Sequence, residues 1–405
     1  MSNVNQPVSA YRWIILTVYA IIAAVIQIQW LTFAPVAREA RVFYDASALQ
    51  IDFLSLIFML VFILVCIPAS FIIDTYGLKI GVGIGAVLTA VFGLMKGLFA
   101  DSYTMVVIAQ VGLAIAQPFI INAATKVAGV WFPIRERATA VGIATLAQFL
   151  GIVLVMILTP SMVVETADGS FTIYSMLMTY GIITVIGAGL LLVFLKEKPA
   201  NPPEPNEQVE RIQVMAGFRH IFRQRDMRLL LIMFFIGLGI FNAISTVIDQ
   251  ICEVKGLTAD QTGLVGGIML IAGIIGAIVL PPLSDKYRKR KLFLILAMGG
   301  MTPGLIGLTV FTGYIPLLVS SFILGFFLLG AGAPVGFQYA AEVTHPAPES
   351  TSQGLLLLAG QISGILFIVG MNLIGMIPGL VTFVALALVI IFLTIRLDES
   401  PMIGR

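Results

Sequence analysis

The fold is decided by residues 50–79, QIDFLSLIFMLVFILVCIPASFIIDTYGLK. The apolar run at the start of this stretch, residues 50–72, is long enough to cross a bilayer, because a spanning helix needs roughly 20 predominantly apolar residues. The run is followed by Asp74-Thr-Tyr76, and the same pattern returns 211 residues later as Asp285-Lys-Tyr287. The stretch therefore predicts a membrane-spanning helix that belongs to an internal repeat.

Two further matches support the repeat. Gln148-Phe-Leu-Gly151-Ile152 returns as Gln361-Ile-Ser-Gly364-Ile365, an offset of 213 residues, and Pro133 and Pro346 precede these segments at the same offset. A membrane protein built from two copies of one half in the same orientation has its halves related by an axis along the membrane normal. The sequence therefore predicts a pseudo-two-fold axis in that direction.

Twelve apolar runs are long enough to span a membrane. They are residues 12–34, 50–72, 79–100, 103–128, 138–161, 172–195, 227–251, 260–282, 291–312, 315–341, 351–375 and 379–396. The segment 196–226 is long and polar and separates six runs from six. We predict an all-α membrane protein with 12 transmembrane helices in two six-helix bundles, residues 1–195 and 227–405. This arrangement resembles the major facilitator fold.

The composition excludes soluble classes of protein. Of the 405 residues, 59% are hydrophobic and 11% are charged, and the mean hydropathy is +1.04. Soluble domains have roughly 25% charged residues. A soluble enzyme or a nucleic-acid binder is therefore excluded, and a net charge of +2 gives no reason to expect a polyanionic partner. Since the two Cys and two His residues form no cluster and no nucleophile–base pair is visible, we expect no enzyme, metal or cofactor site.

The distribution of Lys and Arg predicts the orientation. Of the 23 basic residues, 18 fall in segments on one side of the membrane, and Arg38, Arg41 and Lys255 fall on the other. Because cytoplasmic loops are enriched in Lys and Arg, both termini are expected in the cytoplasm. We expect a multi-pass protein of the cell membrane, and the absence of N-x-Ser/Thr sequons favours a prokaryotic source.

The connection 196–226 has helical periodicity. Its apolar residues recur at spacings of three or four, with Arg residues between them: they are Val209, Ile212, Met215, Phe218 and Phe222. This pattern predicts an amphipathic helix on the inner leaflet. An irregular linker is the alternative.

Polar residues inside apolar runs are the candidate substrate ligands, because such residues are costly in lipid. Gln148 and Gln361 occupy equivalent places in the two halves, where two amides can hold a solute from both sides or join helices to each other. Trp30 has polar neighbours, which favours a cavity wall over an anchor at the membrane interface. The other candidate lining residues are Phe241, Asn242, Asn122 and Gln338.

Charged residues at helix ends are the candidate gating groups. Asp74 and Lys79 lie in the loop of the first half, Asp285 and Arg290 lie in the matching loop of the second, and Lys126 and Glu342 lie near inner helix ends. We expect Lys96, near the outer end of the third run, to extend its ammonium to the interface. Because no Asp, Glu or His lies at mid-depth of a run, the sequence favours uncoupled transport.

Several segments resemble the feline leukemia virus subgroup C receptor-related transporters. They are Gln29-Trp30, Ile51-Asp52-Phe-Leu-Ser55, Met59-Leu60, Ala116-Gln117, Phe119-Ile120, Val130-Trp131-Phe132, Leu150-Gly151-Ile152, Phe241-Asn-Ala243-Ile-Ser245-Thr246, Gly360-Gln361 and Gly364-Ile365. The resemblance implies facilitated transport of choline and ethanolamine, with haem export proposed for some members. It implies that Trp30 and Gln361 line the site. Gln148 lies one residue out of register, and Asn242 stands where the family has a Tyr.

The leading hypothesis is a facilitative, alternating-access carrier of a small polar amine such as choline or ethanolamine, with its site in a central cavity between the bundles. The alternatives are a carrier of another metabolite (a monocarboxylate, sugar or drug, with or without proton coupling), a haem exporter, and a receptor without transport activity. We expect a monomer whose partners are the solute and the lipid bilayer.

Overall fold

The computed structural model describes residues 9–165, 171–199, 220–345 and 349–400. The helices of the first half are α1 Tyr11–Trp30, α2 Ala37–Tyr44, α3 Ala48–Tyr76, α4 Leu78–Leu98, α5 Tyr103–Ile121, α6 Ala124–Trp131, α7 Ile134–Met162 and α8 Tyr174–Phe194. Those of the second half are α9 Arg225–Thr246, α10 Ile248–Glu253, α11 Ala259–Tyr287, α12 Arg290–Val310, α13 Tyr314–Phe327, α14 Ala333–Thr344, α15 Glu349–Ile374 and α16 Met376–Ile395. A short hairpin, β1 Val164–Glu165 and β2 Phe171–Thr172, precedes α8. Twelve helical segments in the described ranges are long and apolar enough to cross a membrane, as predicted.

The first, fourth, seventh and tenth spans are broken helices. A 3₁₀ turn, Ala34–Val36, separates α1 from α2, and a π-helical turn, Leu328–Gly332, separates α13 from α14. Proline lies at or near three of these breaks, as Pro35, Pro118 and Pro334. Because proline lacks a backbone N–H and clashes with the preceding turn, it interrupts the helical ladder there. The break between α9 and α10, at Val247, occurs without one.

The internal repeat is present in the helices themselves. Helices α3 and α11 are both 29 residues long and begin 211 residues apart, and α4 and α12 are both 21 residues long. Both α3 and α11 begin with a capping box, formed by Ser47 with Gln50 and by Thr258 with Gln261. In a capping box each side chain satisfies a backbone N–H that the first helical turn leaves free. The halves therefore repeat in local hydrogen bonding as well as in sequence.

The helix ends lie on two opposite faces of the molecule. Tyr11 and Phe194 meet on the face that carries the interhalf connection, where the Tyr11 hydroxyl donates to the Phe194 carbonyl at 2.8 Å. We call this the basic face. The opposite face carries α2 and α10, and there the Tyr44 hydroxyl donates to the Ala100 carbonyl at 2.7 Å. We call it the latch face, for the ion pairs described below.

The two halves pack together through α7 against α11 and through α3 against α15. Glycine makes the first of these contacts possible. A Cβ atom on Gly263 would lie 2.3 Å from the Met156 carbonyl oxygen, a distance that no side chain tolerates. Gly263 lies near the start of α11 and Met156 near the end of α7, so this close approach is on the latch-face side.

Two features predicted from the sequence cannot be compared with the structure. Most of the predicted amphipathic linker helix falls on residues 200–219, which lie outside the described residues. Pro346, one of the repeat positions, also lies outside them.

Candidate functional site

Trp30 is the last residue of α1, immediately before the break in the first span. Its side chain is buried, with 5% exposed, and its indole N–H has no hydrogen-bond partner among the described residues. The Ser55 hydroxyl of α3 donates to the Trp30 carbonyl at 3.2 Å. Trp30 is therefore an interior residue and not a lipid-facing anchor, and its place in a cavity wall stays a prediction.

Three glutamine side chains, from α5, α1 and α7, are hydrogen-bonded in a row near the end of α1. Gln117 donates through Nε2 to Gln27 Oε1 at 3.2 Å, and Gln27 donates through Nε2 to Gln148 Oε1 at 3.4 Å. Only the carbonyl oxygen of Gln148 takes part in this amide chain. Its amide N–H groups remain able to donate to a solute.

Gln361 is the counterpart of Gln148 on α15. It is half-buried, and its Oε1 atom is buried without a partner among the described residues. A Cβ atom on nearby Gly364 would lie 3.1 Å from Met59 Sδ of α3. Ser55, which donates to the Trp30 carbonyl, lies one turn from Met59 on the same helix, so α3 contacts both the end of α1 and the part of α15 that carries Gly364.

Asn242 has a structural hydrogen bond. It is 6% exposed, and its Nδ2 donates to the Gly360 carbonyl at 3.1 Å, which ties α9 to α15. A Cβ atom on Gly364 would lie 2.9 Å from Asn242 Cβ, so the two helices are in close contact. Its neighbour Phe241 is also buried, with 7% exposed.

Asn122 and Gln338 each bond within their own half. Asn122 Nδ2 donates to the Cys66 carbonyl at 3.2 Å and to the Ser70 hydroxyl at 3.0 Å. Gln338 Nε2 donates to Glu342 Oε1, one turn further along α14, at 3.0 Å. These contacts give both amides packing roles and do not join them to Trp30 or Gln361.

Two hydroxyl groups lie unpartnered at the break of the seventh span. Ser245 and Thr246 close α9 and are 0% and 1% exposed, and neither hydroxyl has a hydrogen-bond partner among the described residues. Most buried polar atoms in proteins are paired, because an unpaired one costs stability. Both broken helices, α1 and α9, therefore end in buried polar atoms that a polar solute could satisfy.

The expectation that Lys96 reaches the membrane interface is wrong. Its side chain is fully buried, and Nζ donates to the Thr32 hydroxyl at 3.0 Å and to the Gln29 carbonyl and Gln110 Oε1 at 3.4 Å. Three oxygen atoms inside the bundle replace the water that the ammonium would otherwise reach at the surface.

Two ion pairs join the halves on the latch face. Arg38 binds Asp249 through its backbone N–H at 2.7 Å, Nε at 2.9 Å and Nη2 at 2.7 Å, and Arg41 pairs with Glu253 at 2.5 Å. The Arg38 side chain is 22% exposed and the Asp249 side chain is fully buried, so the pair is largely withdrawn from water.

The spacing within these pairs matches the internal repeat. Arg38 and Asp249 are 211 residues apart, which is the offset between α3 and α11. Residues at equivalent positions meet each other only near the axis that relates the halves. The Arg38–Asp249 pair therefore lies near the pseudo-two-fold axis.

Asp52 forms a third link between the halves, which the sequence analysis did not single out. It is 2% exposed, and its two oxygens accept from Gln250 Nε2 at 2.7 Å and from Asn372 Nδ2 at 2.6 Å. A carboxylate within an otherwise apolar run was the available signal. Its amide partners could not be found because they lie in the other half.

The predicted gating residues of the basic face bond within single halves. Arg290 pairs with Glu342 at 3.0 Å and with Asp285 at 2.5 Å, and Lys126 pairs with Asp74 at 3.4 Å. The backbone N–H of Lys79 donates to Glu197 Oε2 at 2.7 Å. Among pairs in which both residues are described, every hydrogen bond and ion pair between the halves lies toward the latch face. The molecule is therefore closed on that side.

Comparison with protein families gives one match over most of the chain. The model of the Major Facilitator Superfamily matches residues 15–368 and 256–402. The choline/ethanolamine transporter FLVCR1 of Felis catus is 30% identical over 376 residues, which are 89% of this chain and 67% of that protein. The solute carrier family 49 member A3 of Danio rerio is 30% identical over 88% of this chain and 77% of its own length.

Solved structures share the fold at low sequence identity. A bacterial homologue of the human lysosomal transporter Spinster, in an inward-facing and unoccupied conformation, aligns with a TM-score of 0.77 at 15% identity, over 95% of this chain and 96% of that one. The D-xylose–proton symporter aligns with a TM-score of 0.75 at 14% identity, over 97% of this chain and 99% of that one. The relatives and the fold are those of transporters, not of enzymes.

Proposed function

The chain belongs to the Major Facilitator Superfamily as a multi-pass membrane transporter related to the FLVCR proteins, and we propose that it carries a small polar amine such as choline or ethanolamine by facilitated diffusion. The observation that carries the proposal is Trp30, buried at the break of the first span with its indole N–H unpartnered. An indole face attracts organic cations, and the attraction is stronger away from water.

The two candidate amides suit an amine that also carries a hydroxyl group. Gln361 supplies a buried, unpartnered oxygen that can accept from a hydroxyl or an ammonium N–H. Gln148 can donate from its free N–H groups. Lys96 is bound to three oxygens, so it does not favour a carboxylate substrate.

The exchange of the family's Tyr for Asn242 bears on which amine is preferred. Asn242 donates to the backbone of α15, and no second aromatic side chain is supplied at this position. A quaternary ammonium gains most from several aromatic faces, whereas a primary ammonium also gains from hydrogen bonds. We therefore expect ethanolamine to compete with choline more effectively than it would at a site with two rings.

We further propose that the basic face is cytoplasmic and that the latch face is extracellular. The bias of Lys and Arg toward the basic face supports this orientation. With the latch face closed, the structure then corresponds to a state of an alternating-access cycle in which the route from outside is shut. Release of the Arg38–Asp249 and Arg41–Glu253 pairs would open the route from outside.

The test is uptake of radiolabelled choline and ethanolamine into proteoliposomes. We expect saturable uptake that falls more than about tenfold with Trp30→Ala or Gln361→Ala, since loss of a cation–π contact and of a hydrogen bond each costs about 1–2 kcal/mol or more in a desolvated site. Trp13→Ala is the matched control, because Trp13 is 41% exposed at the basic face. Uptake that is unchanged in both site variants would contradict the proposed site.

A proton-coupled carrier of another metabolite is the second candidate, and Asp52 is the observation that favours it. A buried carboxylate that joins the halves can bind a proton in one state of the cycle and release it in another. The same proteoliposomes test this candidate if an inward proton gradient is imposed. Acceleration that disappears in Asp52→Asn would favour it over facilitated diffusion.

A further inference from the structure

Lys96 lies buried behind the break of the first span without an ionic partner. Its ammonium contacts the Gln29 carbonyl, the Thr32 hydroxyl and Gln110 Oε1, and it lies 5.7 Å from the centre of the Phe33 ring. None of the ion pairs among the described residues includes Lys96. A charge held in this way is costly, so its position requires a physical reason.

The end of α1 provides part of that reason. The last carbonyl groups of a helix lack intrahelical partners and carry a partial negative charge. Lys96 binds the carbonyl of Gln29, in the last turn of α1, and the hydroxyl of Thr32, just beyond it. The ammonium therefore stabilises the turn that carries Trp30.

Two of the residues that contact Lys96 also tie this turn to the rest of the first half through their amide nitrogens. Gln110 Nε2 donates to the Leu54 carbonyl at 3.0 Å, and Gln29 Nε2 donates to the Tyr180 carbonyl at 3.2 Å. Through these bonds the end of α1 is attached to α3, α4, α5 and α8. Because Trp30 is the next residue after Gln29, these bonds also fix the position of its backbone.

Among the described residues, the second half has no matching cation at its own break. Helices α4 and α12 have equal lengths and begin 212 residues apart, so Leu308 occupies the place of Lys96. At that break the hydroxyls of Ser245 and Thr246 are unpartnered. The break beside Trp30 is therefore held by a lysine side chain, whereas the break in the seventh span is not.

We propose that Lys96 is a positioning residue for the substrate site: it fixes the last turn of α1 and thereby holds Trp30 in place for the amine, without touching the solute itself. This inference rests on the proposed function, since it assigns Trp30 to substrate binding. It predicts that loss of the ammonium weakens substrate affinity through Trp30 and leaves the rest of the transport cycle intact.

The test compares Lys96→Met with Lys255→Met. Lys255 is a matched control, because it is also buried and donates to two carbonyls at the end of α12, those of Thr309 and Phe311, but it lies in the other half. We expect Lys96→Met to raise the KM for choline at least fivefold with little change in kcat. We expect Lys255→Met to lower the Tm in detergent and to leave the KM unchanged.

A double-mutant cycle separates positioning from general stability. If Lys96 acts through Trp30, then Lys96→Met has no further effect on KM in the Trp30→Ala background. An equal effect in both backgrounds, or a lower Tm with unchanged KM, would overturn the proposal. If Lys96→Met does not fold, Lys96→Gln, which keeps a donor without the charge, replaces it.

A measurement without substrate keeps this test independent of the proposed function. In a protein whose other two tryptophans, Trp13 and Trp131, are changed to Phe, emission reports on Trp30 alone. We expect Lys96→Met to shift the emission or to increase quenching by acrylamide, and Lys255→Met to do neither. If wild-type protein transports no amine, the proposed function fails, while unchanged emission in Lys96→Met would refute the positioning role itself.

Discussion

Removal of the Asp249 carboxylate is expected to open the latch face. In the structure Arg38 makes three hydrogen bonds to Asp249 and two more to other groups, the Leu257 carbonyl at 2.6 Å and the Thr262 hydroxyl at 3.2 Å. Asp249→Ala leaves the guanidinium with only the latter two. We expect an open state to expose Arg38 to water, so this loss should raise the free energy of the closed state selectively.

The size of the effect follows from burial. Breaking a buried ion pair by removing one partner costs roughly 3–5 kcal/mol. The Arg38 side chain is 22% exposed and keeps two hydrogen bonds, so we expect about 2 kcal/mol here. At about 1.4 kcal/mol for each factor of ten, the ratio of open to closed molecules rises by about 30-fold.

The assay is a distance measurement by double electron–electron resonance across the latch face. Val42 and Val254, 60% and 58% exposed, lie on this face in different halves and can carry the spin labels as cysteines, after Cys66 and Cys252 are replaced by Ala. Wild-type protein should give one short distance. Asp249→Ala should add a longer one.

The control for this measurement is Asp398→Asn, which removes a carboxylate from an exposed ion pair with Arg225 inside the second half. Exposed pairs contribute about 0–1 kcal/mol, so the distance distribution should not change. A distribution in Asp249→Ala identical to that of wild type would refute the role of the pair in closing the latch face.

Three further predictions address other contacts. Gly263→Leu, whose Cβ would lie 2.3 Å from the Met156 carbonyl, should separate α7 from α11 and lengthen the same spin-label distance, and an unchanged distance would show that the helices shift instead. Gln27→Leu removes the centre of the amide chain and leaves Gln148 unpaired, so we expect a loss of about 1–3 kcal/mol in stability, measured as a lower Tm, together with weaker substrate competition. If transport is uncoupled, an inward proton gradient should not accelerate choline uptake into proteoliposomes, and acceleration that requires Asp52 would contradict facilitated diffusion.

The membrane fold could be predicted from the sequence because lipid imposes a simple rule. Each span must be apolar over its length, so hydropathy alone gives the number of spans and their approximate limits. The repeat was visible because local motifs, such as Asp74-Thr-Tyr76, are copied with the helix that carries them. The break at Val247 was not predicted, since no proline marks it and an apolar run has the same hydropathy whether or not its helix is interrupted.

The partners of the polar residues could not be predicted in the same way. Hydropathy indicates how deep in the membrane a residue lies, but not toward which side of the helix its side chain points. Lys96 was therefore expected at the interface, although its side chain points into the bundle. Asn122 and Asn242 bond to helices that are distant in the chain, and no local pattern indicates them. The Arg38–Asp249 pair did leave a signal: residues of opposite charge lie one repeat length apart.

The opposite charges of Arg38 and Asp249 also distinguish this chain, which contains both halves, from a dimer of identical halves. In a dimer of two identical six-helix chains, the residue nearest the symmetry axis meets its own copy, so an arginine there would face an arginine. An attractive pair at this place requires two different residues at equivalent positions. A homodimer of identical halves cannot supply them, whereas a chain that holds two diverged halves can, and divergence of the halves is thus a precondition for an ionic closure on the axis.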